Sequence, residues 1–107
     1  MSIIPGTTPT LTVMLDTSIL DCVAAELFIR CDAVKILKTL PDLRFSSDGT
    51  AISVKLSQKE TLALPDNRTA LVQLRVMIGS SVLSTGVMQV STKELLHRKE
   101  LTTDANE

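Results

Sequence analysis

Hydrophobic and polar residues alternate with a period of two along most of this chain. The clearest stretch covers residues 72–78, where aliphatic residues at the even positions alternate with Gln73, Arg75 and Met77. This period is typical of a β-strand that buries one face and exposes the other to water. Alternation of the same kind predicts further strands over residues 10–15, 23–29, 33–40, 52–56 and 82–90.

Turn-forming residues separate these segments. The strongest turn signal is Ser46–Gly49, because Asp48-Gly49 is flanked by apolar residues. Gly79 to Ser81 predicts a hairpin connection into the segment 82–90, and Gly86 within that segment indicates a bulge or a close backbone approach. Together, the alternating segments and the turns between them predict about seven short strands at a spacing of roughly 10–14 residues.

One segment has helical character. Ser57-Gln58-Lys59-Glu60 has the form of a capping box, in which the serine hydroxyl and the glutamate carboxylate bond reciprocally to the backbone. A single helical turn is therefore predicted to follow, ending at Pro65. Ser91–Glu94 repeats the pattern, so the segment after residue 92 is predicted to be either a short helix or a final strand.

These elements predict an all-β protein with an immunoglobulin-like antiparallel β-sandwich of about seven strands and one short helical turn. The sandwich is expected over residues 9–92, after an extended N-terminal arm of residues 1–8. Residues 93–107 are expected to form the C-terminal segment, frayed from Thr102 onwards. Phe28 and Phe45 are the only aromatic residues, so the core is expected to be aliphatic.

Composition narrows the possible partners. The 107 residues include 11 basic and 12 acidic ones, and the net charge of -1 argues against binding to nucleic acid or to an anionic membrane. A hydrophobic content of 44% excludes intrinsic disorder.

The start of the sequence has no basic region followed by an apolar stretch, as a signal peptide would have. No apolar run approaches the roughly 18–20 residues of a membrane span. A soluble protein made in the cytoplasm is expected.

The sequence offers no arrangement that favours catalysis, so the protein is predicted not to be an enzyme. His97, the only histidine, lies in a charged run near the end of the chain, and the aspartates fall on predicted turns. No catalytic residue, cofactor-binding residue or metal ligand is predicted. Cys22 and Cys31 are nine residues apart in a segment predicted to be extended, about 30 Å at ~3.3 Å per residue, so a disulfide is not expected.

Two residues depart from the alternation and form the candidate contact surface. Phe28 lies on the otherwise polar face of the segment 23–29, and Leu37 lies on the mixed face of the segment 33–40. Both are candidates for an apolar contact with a partner. The alternative interpretation is that a loop of the same chain covers them.

Three segments carry a resemblance to a known group of proteins: Pro5-Gly6-Thr7-Thr8, Val54 to Leu64, and Val72-Gln73-Leu74-Arg75-Val76. With them the chain resembles small bacteriophage and prophage proteins, in particular the immunoglobulin-like N-terminal domain of phage baseplate upper proteins. The resemblance implies a non-catalytic structural module of a tail, baseplate or capsid. Its partners would be other virion proteins or copies of itself, and it would be made in the bacterial host cytoplasm.

Two other functions fit the same pattern. One is a small ligand- or glycan-binding adhesin domain, which a concave site lined by polar groups would favour. Direct glycan recognition is disfavoured, because aromatic residues make up only 2% of the chain. The other is a phage inhibitor that binds a host protein.

Overall fold

The structure is a computed structural model that describes residues 2–102. Within this range nine strands form two sheets, and the helical elements are a 3-10 turn at Leu40–Asp42 and the short helix α1 at Gln58–Leu62. The strands are β1 (Ser2–Ile3), β2 (Thr10–Met14), β3 (Ala24–Cys31), β4 (Val34–Thr39), β5 (Arg44–Phe45), β6 (Ala51–Lys55), β7 (Thr69–Ile78), β8 (Ser81–Ser84) and β9 (Met88–Thr92).

The strand order is that of an immunoglobulin-like sandwich. The large sheet runs β1-β9-β7-β3-β4, with β8 also paired to β7, and the small sheet runs β2-β6-β5. In immunoglobulin terms β3, β4, β7 and β9 correspond to strands C, C′, F and G, and β2, β5 and β6 to strands B, D and E. The predicted all-β, immunoglobulin-like sandwich is therefore confirmed. The predicted helical turn is α1, and the 3-10 turn at Leu40–Asp42 is an additional helical element.

The described residues form nine strands where about seven were predicted. The pairs of residues in β1 and β5 are too short to show alternation, and the predicted segment 82–90 is divided into β8 and β9. The final strand, one alternative for the residues after 92, does not form within residues 93–102. β1 pairs with β9 in parallel, through Ser2 and Ser91, and Ile3 is fully buried. The start of the predicted arm is thus part of the large sheet.

The core is aliphatic and lies between the inner faces of the two sheets. Strands alternate between buried and exposed residues, most regularly in β2 and β7. The central strands contribute many of the fully buried side chains, which include Leu27, Ile29, Ile52, Val54 and Leu74. At roughly 1.5–3 kcal/mol for each fully buried aliphatic side chain, this layer supplies the main favourable free energy of folding.

The break between β8 and β9 is a β-bulge. Val72 pairs with Met88, and Arg75 pairs with Ser84. Between these two pairs β7 has two residues, whereas the returning chain has three, Thr85 to Val87. The extra residue confirms the bulge that Gly86 predicted.

The predicted turns form through the contacts that their sequences suggest. Ser57 Oγ accepts from Glu60 N–H at 3.1 Å, and Glu60 Oε1 accepts from Ser57 N–H at 2.8 Å, which completes the capping box. The β5–β6 hairpin turns through Gly49, whose φ is 74°. Asp48 Oδ1 accepts from the hydroxyls of Ser46 and Thr50, each at 2.8 Å.

Residues 93–102 form neither of the predicted alternatives, because they contain no helix and no strand. Polar contacts hold them against α1 instead. Arg98 donates to the carbonyl oxygens of Leu62 and Leu64, and Gln58 bonds to both backbone groups of Leu101. The frayed tail predicted from Thr102 falls mainly on residues 103–107, which lie outside the described residues.

Candidate protein-interaction surface

Phe28 and Leu37 lie side by side on the outer face of the large sheet. They are direct cross-strand partners of β3 and β4. Side chains in this relationship have Cβ atoms roughly 4.5–5.5 Å apart and contact each other. Leu37 is 53% exposed, and Phe28 is partly exposed. The structure therefore brings together two residues that the sequence places in separate segments.

Two further apolar residues enlarge this surface. Leu71 of β7 and Val87 of the bulge line a shallow depression of about 160 Å³ together with Phe28, Arg30 and Gln73. Val87 is 58% exposed. We call Phe28, Leu37, Leu71 and Val87 the apolar patch. Neither Leu71 nor Val87 belongs to the contact surface predicted from the sequence. The position of Leu71 two residues before Gln73 does place it on the same face of the strand.

The bulge positions Val87 through hydrogen bonds that replace part of the interrupted ladder. Thr85 N–H donates to the Leu74 carbonyl oxygen at 2.9 Å, and Thr85 Oγ1 accepts from Leu74 N–H at 3.1 Å. The Gln73 side-chain amide donates to the Thr85 carbonyl oxygen at 3.0 Å. Bulges commonly redirect a side chain. Here the bulge brings Val87 to the depression beside Phe28.

Charged residues border the apolar patch on two sides. On one side Arg30 and Lys35 are exposed cross-strand partners. On the other side Arg75 donates to Glu26 Oε1 at 2.5 Å. The patch thus has a neutral ion pair along one border and two adjacent cations along the other.

A larger recess lies beside the free edge of β2. It has a volume of about 590 Å³ and opens between the end of β2 and the bulge. Within residues 2–102 the small sheet has no strand beyond β2, so the inner face of the large sheet is incompletely covered there. Its lining is mainly apolar, with Leu15, Leu74 and Leu83 among its walls, and its polar members are Asp16, Thr17, Ser84 and Thr85.

Most carboxylates of the described residues accept hydrogen bonds from nearby backbone and hydroxyl groups or form ion pairs. Asp42 accepts from Thr39 N–H at 3.1 Å, and Asp66 accepts from Leu95 N–H at 3.3 Å and from Arg98. Hydrogen bonds from Ser46 and Thr50 lower the pKa of Asp48 to about 2. Within residues 2–102, no three histidine, cysteine, aspartate or glutamate side chains group together as a metal site would require.

The two cysteines are free thiols. Cys31 is buried at the end of β3, whereas Cys22 precedes that strand and is partly exposed. Burial raises the pKa of both thiols. A raised pKa leaves less of the reactive thiolate at neutral pH, so neither side chain has the environment of an activated nucleophile.

Comparison with known proteins gives no relative from which a function can be transferred. No protein family, no curated protein and no solved structure matches the chain. Among the described residues, no helix has the length and apolar character required to cross a membrane.

Proposed function

We propose that this protein is a non-catalytic interaction module that binds another protein through the apolar patch. The observation that carries the proposal is the direct pairing of Phe28 with Leu37 on an outer sheet face. A fully buried aliphatic or aromatic side chain gains roughly 1.5–3 kcal/mol. Covering Leu37 and Val87, each more than half exposed, would therefore favour association.

The shape of the surface favours a protein over a small molecule. Small-molecule sites are concave and typically about 300–1,000 Å³ in volume, whereas the depression at Phe28 holds only about 160 Å³. The patch lies on strands of a sheet, which provide a rigid support. A protein surface would bury such a patch together with its polar surroundings.

We further propose that the module belongs to the structural proteins of a phage or prophage, in a tail, baseplate or capsid. The support is the resemblance of Pro5–Thr8, Val54–Leu64 and Val72–Val76 to baseplate upper proteins. These segments lie in the framework of the sandwich, around β6, α1 and β7, and not in the apolar patch. The resemblance therefore bears on the class of protein, and the patch bears on where it binds.

The ligand-binding and host-inhibitor alternatives stay predictions. The sequence-based criterion for a ligand-binding domain is a concave site lined by polar groups. The recess beside β2 has the volume of a small-molecule site, about 590 Å³, but only four of its lining residues are polar. An inhibitor would need the same kind of exposed patch as a structural module. The identity of the bound protein distinguishes these two.

Site-specific photo-crosslinking tests the proposal. A photoreactive side chain replaces Leu37 in one variant and Ser47, an exposed residue of the β5–β6 turn, in the control. Both variants are produced in the bacterium that carries the gene, during particle assembly. We expect a covalent adduct with a virion protein from position 37 and not from position 47, and Phe28→Ser should abolish it. Equal adducts from both positions, or none from position 37, would contradict the proposal.

A further inference from the structure

We propose that the partner presents carboxylates beside its apolar contact residues, so that the apolar patch binds an acidic segment of another protein. This inference rests on the proposed function, because the two residues that carry it border the same patch. The inference is based on Arg30 and Lys35, two like charges that lie directly opposite each other in the sheet.

Arg30 and Lys35 are directly opposite each other on β3 and β4. Like charges in this arrangement destabilise a sheet. Both side chains are exposed, and neither has an ion-pair partner within residues 2–102. The other basic residues of the large-sheet strands differ in this respect, because Lys38 pairs with Glu60 and Arg75 pairs with Glu26. The repulsion between Arg30 and Lys35 is therefore left uncompensated at one border of the patch.

The strand positions next to the two cations contain no acidic residue. Asp32, in the turn two residues after Arg30, already pairs with Arg68 at 3.5 Å. Arg30 is flanked on its other side by Leu71 of β7, which in turn pairs with Gln89. The next row across the sheet consists of Leu37, Phe28 and Gln73. A group that covers the apolar patch must therefore also approach the two cations.

Charge complementarity selects a carboxylate for that group. The guanidinium of Arg30 presents a planar pair of donors that match a carboxylate, and the ammonium of Lys35 adds a further donor beside it. A carboxylate placed between them would also remove their mutual repulsion. Aliphatic or aromatic neighbours of that carboxylate would cover Phe28 and Leu37.

A second copy of this chain fits the surface less well. Its corresponding face carries the same two cations, and the nearby carboxylate of Glu26 already accepts from Arg75 at 2.5 Å. Nucleic acid fits less well too, because its binding draws on many phosphate contacts and this chain has a net charge of -1. An acidic segment of a different protein satisfies both the apolar and the charged parts of the surface.

Two blocked peptides test this inference on the full chain: acetyl-Glu-Leu-Glu-Leu-Glu-amide and its analogue with glutamine at every glutamate. Binding is followed by amide chemical shifts at low salt. We expect the glutamate peptide to bind roughly threefold to tenfold more tightly, with shifts at Phe28, Arg30, Lys35 and Leu71. The preference should disappear in Arg30→Gln/Lys35→Gln. It should persist in the matched control Arg44→Gln/Lys55→Gln, which removes two exposed cations from the small sheet.

The outcomes separate this inference from the proposed function. Equal binding of both peptides, unchanged by Arg30→Gln/Lys35→Gln, would overturn the acidic partner and leave the apolar patch as a binding surface. If neither peptide shifted the patch amides, the acidic partner would be overturned too. Photo-crosslinking from position 37 tests the proposed function independently of these peptide-binding results.

Discussion

Glu60 joins two separate parts of the sandwich through one carboxylate. Its Oε1 accepts from Ser57 N–H at 2.8 Å, and its Oε2 lies 2.8 Å from Lys38 Nζ on β4. Partial burial by itself raises the pKa of this carboxyl group, but the Lys38 ammonium and the donors of Ser57 outweigh it and hold the pKa below its ordinary value. The contact ties an edge strand of the large sheet to α1.

We predict that Glu60→Gln lowers the free energy of unfolding by about 1 kcal/mol at neutral pH. A carboxyl group whose pKa is lowered by folding stabilises the protein above its unfolded pKa. That stabilisation is lost as the pH falls from the ordinary value of 4.5 through the lower value of the folded protein. Chemical denaturation between pH 2 and 7 should show the wild type and the variant converging at acid pH.

Glu94→Gln serves as the control for this prediction. Glu94 is exposed and occupies the corresponding place of the second capping-box pattern, which does not form a helix. The free energy of unfolding of Glu94→Gln should match that of the wild type from pH 2 to 7. A constant difference between Glu60→Gln and the wild type at every pH would show that charge has no part in the effect.

At the scale of elements, the same local signal leads to two different structures. Ser57–Glu60 begins α1, whereas Ser91 of the matching pattern lies in β9. Ser91 pairs with Thr69 of β7 on one side and with Ser2 of β1 on the other. These long-range ladders satisfy the backbone groups that a helix would have used, so pairing overrides the local capping preference.

The β5–β6 hairpin depends on Gly49 for two reasons that can be separated. Its φ of 74° is unfavourable for other residues, and a Cβ atom there would lie 2.6 Å from Leu20 Cγ and 3.0 Å from Leu20 N. Gly79 has a φ of 61°, but a Cβ atom there would meet nothing within 4 Å. The first turn is therefore packed against the 16–20 loop, and the second is open.

We predict that Gly49→Ala costs about 2–4 kcal/mol of stability, because it adds steric overlap to backbone strain. Gly79→Ala should cost only about 1 kcal/mol, because the strain acts alone. Thermal or chemical denaturation of the two variants measures the difference. Equal losses would mean that the 16–20 loop moves away from Gly49 without cost.

At the scale of the whole molecule, residues 93–102 close one end of the sandwich. Arg98 donates to Leu62 O at 2.8 Å and to Leu64 O at 2.9 Å, and it forms an ion pair with Asp66. Leu62 and Leu95 both lie so close to Gly6 that a Cβ atom there would contact them. The Arg98 side chain thus fixes residues 93–102 to the end of α1 and to the residues that follow α1.

We predict that Arg98→Ala releases this segment while the two sheets remain folded. Removing its donors should cost about 1–2 kcal/mol of stability. Amide exchange should accelerate at Leu95 and Leu101 and stay slow at Leu27 and Leu74 in the sheet core. Arg44→Ala removes an exposed arginine outside this segment and should leave exchange unchanged. Unchanged protection of Leu95 in Arg98→Ala would contradict this role.

The sequence by itself determined the longer strands, the inner faces of those with regular alternation, and the class of fold. Alternation is a local property, because successive side chains of an extended backbone point to opposite sides. It therefore identifies Leu74 as a core residue and Gln73 as an outer one without knowledge of the neighbouring strands. The helical turn after Ser57 and the bulge at Gly86 also follow from local rules.

Only the tertiary structure decided which side chains became neighbours. The sequence places Phe28 on a polar face and Leu37 on a mixed face, but only the register of β3 and β4 makes them partners and sets Arg30 opposite Lys35. The bulge brings Val87 to Phe28 across three strands. Register depends on the simultaneous fit of all strands and turns, which no single segment contains. The candidate surface is therefore a property of the assembled sheet, although each of its residues is visible in the sequence.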